Sequence, residues 1–307
     1  MRILETKDLC KYYRKTHALE HVNMTIEQGD IYGFVGKNGA GKTTLIRIIT
    51  GVAEPTKGSY ALFGENEPHK RTRVRSRMAA VVESPALHMG LTAFENLELQ
   101  CTLLGINKDV KAFVAALLDK VGLSSLLVSK AKKVKNFSLG MKQRLGIAMA
   151  MISNPEFLVL DEPNNGLDPE GIRDMRELLL KLNHEDNITI LISSHILSEL
   201  SKLATRYGFI DKGMIVKEIT AEELGRVSRK ATVVKVDAPK EAFNILTEAG
   251  YKNIELLKDG VSIPETVGVS KIVTLLAKSN IEVANIQEQN EDLEQYFMEI
   301  IKEANNG

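Results

Sequence analysis

"IYGFVGKNGAGKTTLIRIIT", residues 31–50, decides the fold. The run from Ile31 to Val35 reads as a buried strand, and a helix pattern opens at Thr43. Between them stand Gly36, four residues, then Gly41, Lys42 and Thr43. That is the G-x-x-x-x-G-K-[ST] spacing in its required strand-to-helix setting. Glycines at 36, 39 and 41 let backbone amides turn inward towards phosphate oxygens. The helix start adds free N–H groups and the positive end of a dipole. Lys42 can neutralise the β- and γ-phosphates of a nucleotide, and the Thr43 hydroxyl can ligate Mg²⁺. Lys37, Asn38, Ala40 and Thr44 fall inside the same loop and helix start and are counted with the phosphate-binding residues.

A second stretch, "EFLVLDEPNNGLDP" at 156–169, fits the first. The run from Phe157 to Leu160 reads as another short buried strand, and it delivers Asp161 and Glu162 together at its carboxyl end. Buried acids are costly unless they meet a cation or a hydrogen bond. Mg²⁺ on a nucleotide needs a further protein oxygen, supplied by an acid at a neighbouring strand's end. Asp161 fits that role, and Glu162 can polarise an attacking water as general base.

The 307 residues suffice for one large or two ordinary domains. Lys+Arg and Asp+Glu both total 40, so the net charge is zero and no dominant nucleic-acid partner is indicated. The two cysteines, Cys10 and Cys101, have neither metal-ligand nor disulfide-framework spacing, which fits a reducing cytosol. The charged N-terminus is not expected to be a signal peptide. No stretch approaches the roughly 20 apolar residues of a membrane span, so any spanning part belongs to another chain. Two basic stretches, "HKRTRVRSR" at 69–77 and "SKAKKVK" at 129–135, lack interleaved aromatics and read as solvated surface.

Strand-like and helix-like segments alternate at first. Strand signals vanish from about Leu91 to Met151 and return at "FLVL", "TILISS" and "RYGFIDKGMIVKE". This predicts an α/β core with a helical insertion. A fresh pattern follows "TAEELGRVSRK". Its order, βαββαβ plus a helix over "EDLEQYFMEIIKEA", suggests a small α+β sandwich of split-βαβ type.

With these residues in place, the chain resembles the ATP-binding subunits of ABC transporters over roughly residues 1–216. "NFSLGMKQRLGIA" resembles the family's signature segment, with Ser138 and Gly140 at its diagnostic positions, although Leu139 and Met141 stand where Gly and Gln are common. "NNGLDP" resembles the D-loop, with Asp168. His195 after "ILISS" matches the switch histidine, and Tyr13 in "KYYRK" matches the aromatic that stacks on adenine. Glu83 replaces the usual glutamine that ligates Mg²⁺ or positions water, and the resemblance implies that it joins Thr43 and Asp161 at the metal.

The resemblance implies a P-loop NTPase core of ABC-ATPase type at 1–222, with antiparallel β and helical subdomains, the latter at about 90–152. A ferredoxin-like α+β accessory domain at 230–307 would follow. It implies ATP and Mg²⁺ as ligands. A second ATP-binding subunit, expected to be an identical copy, would close its signature segment over the nucleotide held by the first. The chain would sit on the cytoplasmic face of the membrane beside membrane-spanning permease subunits.

The signature, Glu83 and the appended domain together resemble the branch that exports, or gives immunity to, bacitracin and lantibiotic-type peptides. The alternatives are an exporter ATPase of the ABC-2 type for another drug, lipid or ion, and a soluble ABC ATPase outside transport. The soluble kinds carry two ATP-binding domains or long coiled coils, and neither pattern occurs in this sequence.

Overall fold

The computed structural model describes residues 1–107, 109–128, 132–227, 230–263, 268–290, 296 and 298–302. The chain divides into two compact units, Met1–Ala221 and Glu222–Gly307.

The first unit is built on a six-stranded sheet. Its order is Met78–Val81, Phe157–Asp161, Thr189–Ser194, Ile31–Val35, Arg206–Asp211 and Met214–Thr220. The first five strands run parallel, and the last pairs antiparallel with its neighbour. Every residue of Ile31–Val35, Phe157–Asp161 and Thr189–Ser194 is buried. Both faces of a parallel sheet are covered, and that is why these strands read as unbroken apolar runs rather than alternating ones. Register then positions the chemistry. Val35 lies opposite Ser194, and Asp161 opposite Ser193, so the three strands end together at one edge. Ligands bind at this carboxyl-end edge of open parallel sheets.

A separate three-stranded antiparallel sheet has the order Thr16–Glu27, Arg2–Tyr13, Lys57–Leu62. Sequence alternation marks these strands poorly because their pairing shifts register at several points, and each shift breaks the period of two. Its buried side chains, Leu4, Leu9, Val22, Ile26 and Tyr60 among them, share one core with Phe34, Leu45, Ile46 and Phe157. The insertion is helical as expected, with Ala93–Leu103, Val110–Lys120, Ser125–Val128 and Leu139–Met151. Thr92 and Glu95 form a capping box at its first helix.

The stretch 69–77 departs from the expected solvated surface. Arg71 is buried, its guanidinium 4.0 Å from the Tyr60 ring centroid and donating to the Tyr60 carbonyl. Arg75 donates to the Tyr60 hydroxyl, and Arg77 makes a forked pair with Glu156 while stacking on Phe63. Arginine's planar fork allows this where a lysine's point charge would not. In the other basic stretch, residues 129–131 lie outside those described.

The second unit has an antiparallel sheet ordered Glu255–Leu257, Gly260–Ile263, Lys230–Val236, Val283–Asn290. Helices Pro239–Glu248 and Val269–Ala277 contribute Ala242, Leu246, Ile272 and Leu276 to a core with Val234, Val261 and Ile263. The helix expected over 291–304 falls largely outside the described residues, as does the junction at 228–229. Among the described residues no helix is long and apolar enough to cross a membrane.

Candidate nucleotide site

The loop 36–41 leaves the strand Ile31–Val35 and enters the helix Lys42–Ile49. Two of its glycines are required by space. A Cβ on Gly36 would lie 2.6 Å from the Ile210 carbonyl oxygen, and one on Gly41 would lie 2.7 Å from that of Ala18. Gly41 also has φ +114° and Gly39 φ +82°, conformations that side chains resist. Lys37, Asn38 and Gly39 are exposed at the loop's crown, while Ala40 is buried beneath it.

Lys42 folds back over this loop. Its ammonium donates to the carbonyls of Gly36 (2.6 Å) and Lys37 (3.2 Å) and lies 3.1 Å from Glu162 Oε1. The side chain is only 4 % exposed, so the charge is compensated almost wholly by these three oxygens. One residue on, the Thr43 hydroxyl donates to Asp161 Oδ2 at 2.9 Å. A hydroxyl in the first turn of the helix and an acid at a strand end thus present hard oxygen donors to one point, the donor chemistry that Mg²⁺ takes.

Asp161 is buried, and its second oxygen accepts from Ser193 Oγ at 2.7 Å. The same hydroxyl accepts the Glu162 backbone N–H at 2.9 Å. Ser193 therefore locks both acids to the next strand. Sequence reasoning missed it, because a serine at the end of "TILISS" carries no spacing signal. Glu162 sits at φ +48°, a conformation rare outside glycine, asparagine and aspartate. Its carboxylate bridges two partners, Lys42 through Oε1 and His195 Nδ1 through Oε2 at 2.9 Å. The structure thus joins Lys42, Thr43, Asp161, Glu162 and His195 in one continuous network, with Ser193 as its unforeseen sixth member.

The remaining expected residues lie outside that network. Tyr13 ends its strand 44 % exposed, with Lys11 Nζ 4.9 Å from its ring centroid. Ser138 caps the helix Leu139–Met151 through the Met141 N–H, and Asp168 caps Pro169–His184 through the Gly171 N–H. These two capped starts meet within the chain: a Cβ on Gly166 would lie 3.1 Å from Leu139 Cδ2, and one on Gly140 would lie 3.7 Å from Leu167 Cδ2. Glu83 is the clearest departure. Its carboxylate is bound to the Arg47 guanidinium on the helix that follows the loop, and 61 % of its side chain is exposed. A cation four residues beyond Thr43 holds the acid that was expected on the metal.

A 120 Å³ cavity beside the network is lined by Glu162, Asn164, Leu167, Ser194, His195 and Glu199. Asn164 Nδ2 donates to Glu199 there at 3.0 Å.

The sequence pattern of the ABC transporter family matches residues 19–165. The chain is 41 % identical to the bacitracin transport ATP-binding protein BcrA of Bacillus licheniformis, over 97 % of each chain. It is 42 % identical to the lantibiotic transport ATP-binding protein SrtF of Streptococcus pyogenes, over 70 % of this chain and 90 % of that one. Among solved structures it resembles cbiO1 of Clostridium perfringens, part of the ABC transporter complex cbiONQ. There the TM-score is 0.67 at 26 % identity, covering 73 % of this chain and 91 % of that one. It also resembles the dimeric bacterial ABC transporter cassette MJ0796, with TM-score 0.62 at 25 % identity, covering 71 % and 98 %. The loop, the paired acids and the full-length likeness lead to one conclusion: the chain belongs to the ABC transporter family as an ATP-binding, ATP-hydrolysing subunit.

Proposed function

We propose that this subunit powers export of, or immunity to, a peptide antibiotic of bacitracin or lantibiotic type. One observation carries the reading: the likeness to a bacitracin transport protein runs through both units of the chain, not through the ATP-binding unit alone. The chain would act at the cytoplasmic face of the membrane, with permease subunits carrying the cargo. Two copies would pair around ATP, each setting Ser138 and Gly140 against the nucleotide of the other with Asp168 alongside. The region 230–307, within the second unit, is proposed to be a separable ferredoxin-like domain.

In this reading the amides of residues 36–44 and the Lys42 ammonium hold the phosphates. Thr43 and Asp161 would hold Mg²⁺, which supplies charge neutralisation on the β- and γ-phosphates. Glu162 would take the proton of the attacking water, and His195 would fix the orientation of that carboxylate. Lys42 would exchange its bond to Glu162 for phosphate oxygen, which frees Oε1 to accept a proton. Tyr13 would stack on adenine. Glu83 would reach the metal only after leaving Arg47.

The test is to express the chain with the membrane proteins encoded beside its gene in a sensitive bacterium. Wild type should raise tolerance to bacitracin or a lantibiotic, and Glu162→Gln should abolish the gain while still binding ATP and accumulating as a dimer. Unchanged tolerance to both peptide classes, with wild-type ATPase activity intact, would redirect the cargo to another drug, a lipid or an ion.

A further inference from the structure

The antiparallel sheet carries a second constellation. In the pairing of Arg2–Tyr13 with Thr16–Glu27, Leu9 lies opposite Val22 and Lys11 opposite Leu19. Two steps along one strand thus match three along the other, so Glu20 and His21 together face the single residue Cys10. This is a β-bulge, a device that re-aims side chains. His21 adopts φ +46° to make it. The Cys10 sulfur, a Glu20 carboxylate oxygen and a His21 ring nitrogen consequently lie within 4.8 Å of one another.

We propose that Cys10, Glu20 and His21 form a binding site for a divalent cation of borderline softness, with Zn²⁺ the best fit. One sulfur, one imidazole nitrogen and one carboxylate oxygen suit that metal, and three protein ligands leave a fourth position for water. Metal–ligand bonds of 2.0–2.3 Å require ligand separations of roughly 3.3–3.8 Å. Side-chain rotation would close the present spacing to that, and the His21 side chain is 66 % exposed.

The surroundings already orient the ligands. Tyr12 Oη donates to Glu20 Oε1 at 2.8 Å, and His17 Nδ1 lies 2.9 Å from Oε2. These bonds hold the Glu20 carboxyl below its usual range, Tyr12 contributing most, so the ligand is ionised. His21 turns Nε2 towards Glu20 (3.6 Å) and Nδ1 towards Asp8 (3.6 Å). A carboxylate behind the second ring nitrogen is the usual support of a metal-bound histidine. The His21 backbone N–H donates to Cys10 Sγ at 3.3 Å and fixes the sulfur beside His21. Binding releases the Cys10 proton to solvent, so affinity falls as pH falls. Cys10 is itself fully buried, and the metal enters past the exposed His21.

The experiment is titration of the nucleotide-free full chain with Zn²⁺, and with Co²⁺ followed by absorption. One Zn²⁺ per chain is expected, and Co²⁺ should show a thiolate charge-transfer band in the near ultraviolet. His21→Asn, in which asparagine tolerates the positive φ, should bind at least about tenfold more weakly, the size of effect seen when a metal's supporting groups are lost. Cys10→Ser should lose the band, whereas Cys101→Ser, which alters the other cysteine, should keep it. Absence of the band in wild type, or equal Zn²⁺ affinity in wild type and His21→Asn, would overturn the assignment.

Discussion

Replacing Ser193 by alanine removes one hydroxyl and two hydrogen bonds. The hydroxyl donates to Asp161 and accepts from the Glu162 N–H, and the side chain is fully buried. A hydrogen bond to a charged group contributes about 1.5–3 kcal/mol and a neutral one about 1 kcal/mol. The alanine also leaves the half-buried Glu162 N–H without that partner. A loss of about 3 kcal/mol follows, which for a unit of this size lowers the melting temperature by roughly 6–12 °C. Activity should fall further than stability explains, because Glu162 is held at positive φ partly by this bond. The assay pairs thermal unfolding with ATP turnover at a temperature where both proteins are folded. A melting temperature within about 1 °C of wild type, with unchanged turnover, would refute the claim that Ser193 positions the two acids.

Gly41→Ala should abolish ATP binding while the chain stays folded at low temperature, since its Cβ would sit 2.7 Å from a backbone oxygen; binding of a fluorescent ATP analogue checks this. Arg47→Ala should change stability by no more than about 1 kcal/mol, because the pair with Glu83 is largely exposed. If the released Glu83 reaches the metal, the same variant should saturate at lower Mg²⁺ in an ATPase titration.

What the sequence made legible was whatever depends on contiguous residues. The three buried strands, the loop between Gly36 and Thr43, and the acids at 161 and 162 all announce themselves by local spacing. Contacts between distant segments did not. Ser193 meets Asp161 across 32 residues, and Arg47 meets Glu83 across 36. Neither pairing leaves a periodic trace. The arginines of 69–77 look like solvated charge until Tyr60 and Phe63 supply aromatic faces to stack on. The bulge opposite Cys10 is invisible for the same reason, since a single extra residue only makes the strand alternation look poor.

The contact of Leu139 with Gly166 has a mechanical meaning. Gly166 lies four residues after Glu162, on the turn that leads to Asp168. A Cβ at 166 would lie 3.1 Å from Leu139 Cδ2, so the start of that helix and the turn behind Glu162 are closely apposed within one chain. The turn behind Glu162 is therefore among the first parts of the site that a tilt of the helix starting at Leu139 would meet. A load entering through the helical insertion would thus meet the turn four residues from Glu162 before it met the six-stranded sheet's far strands.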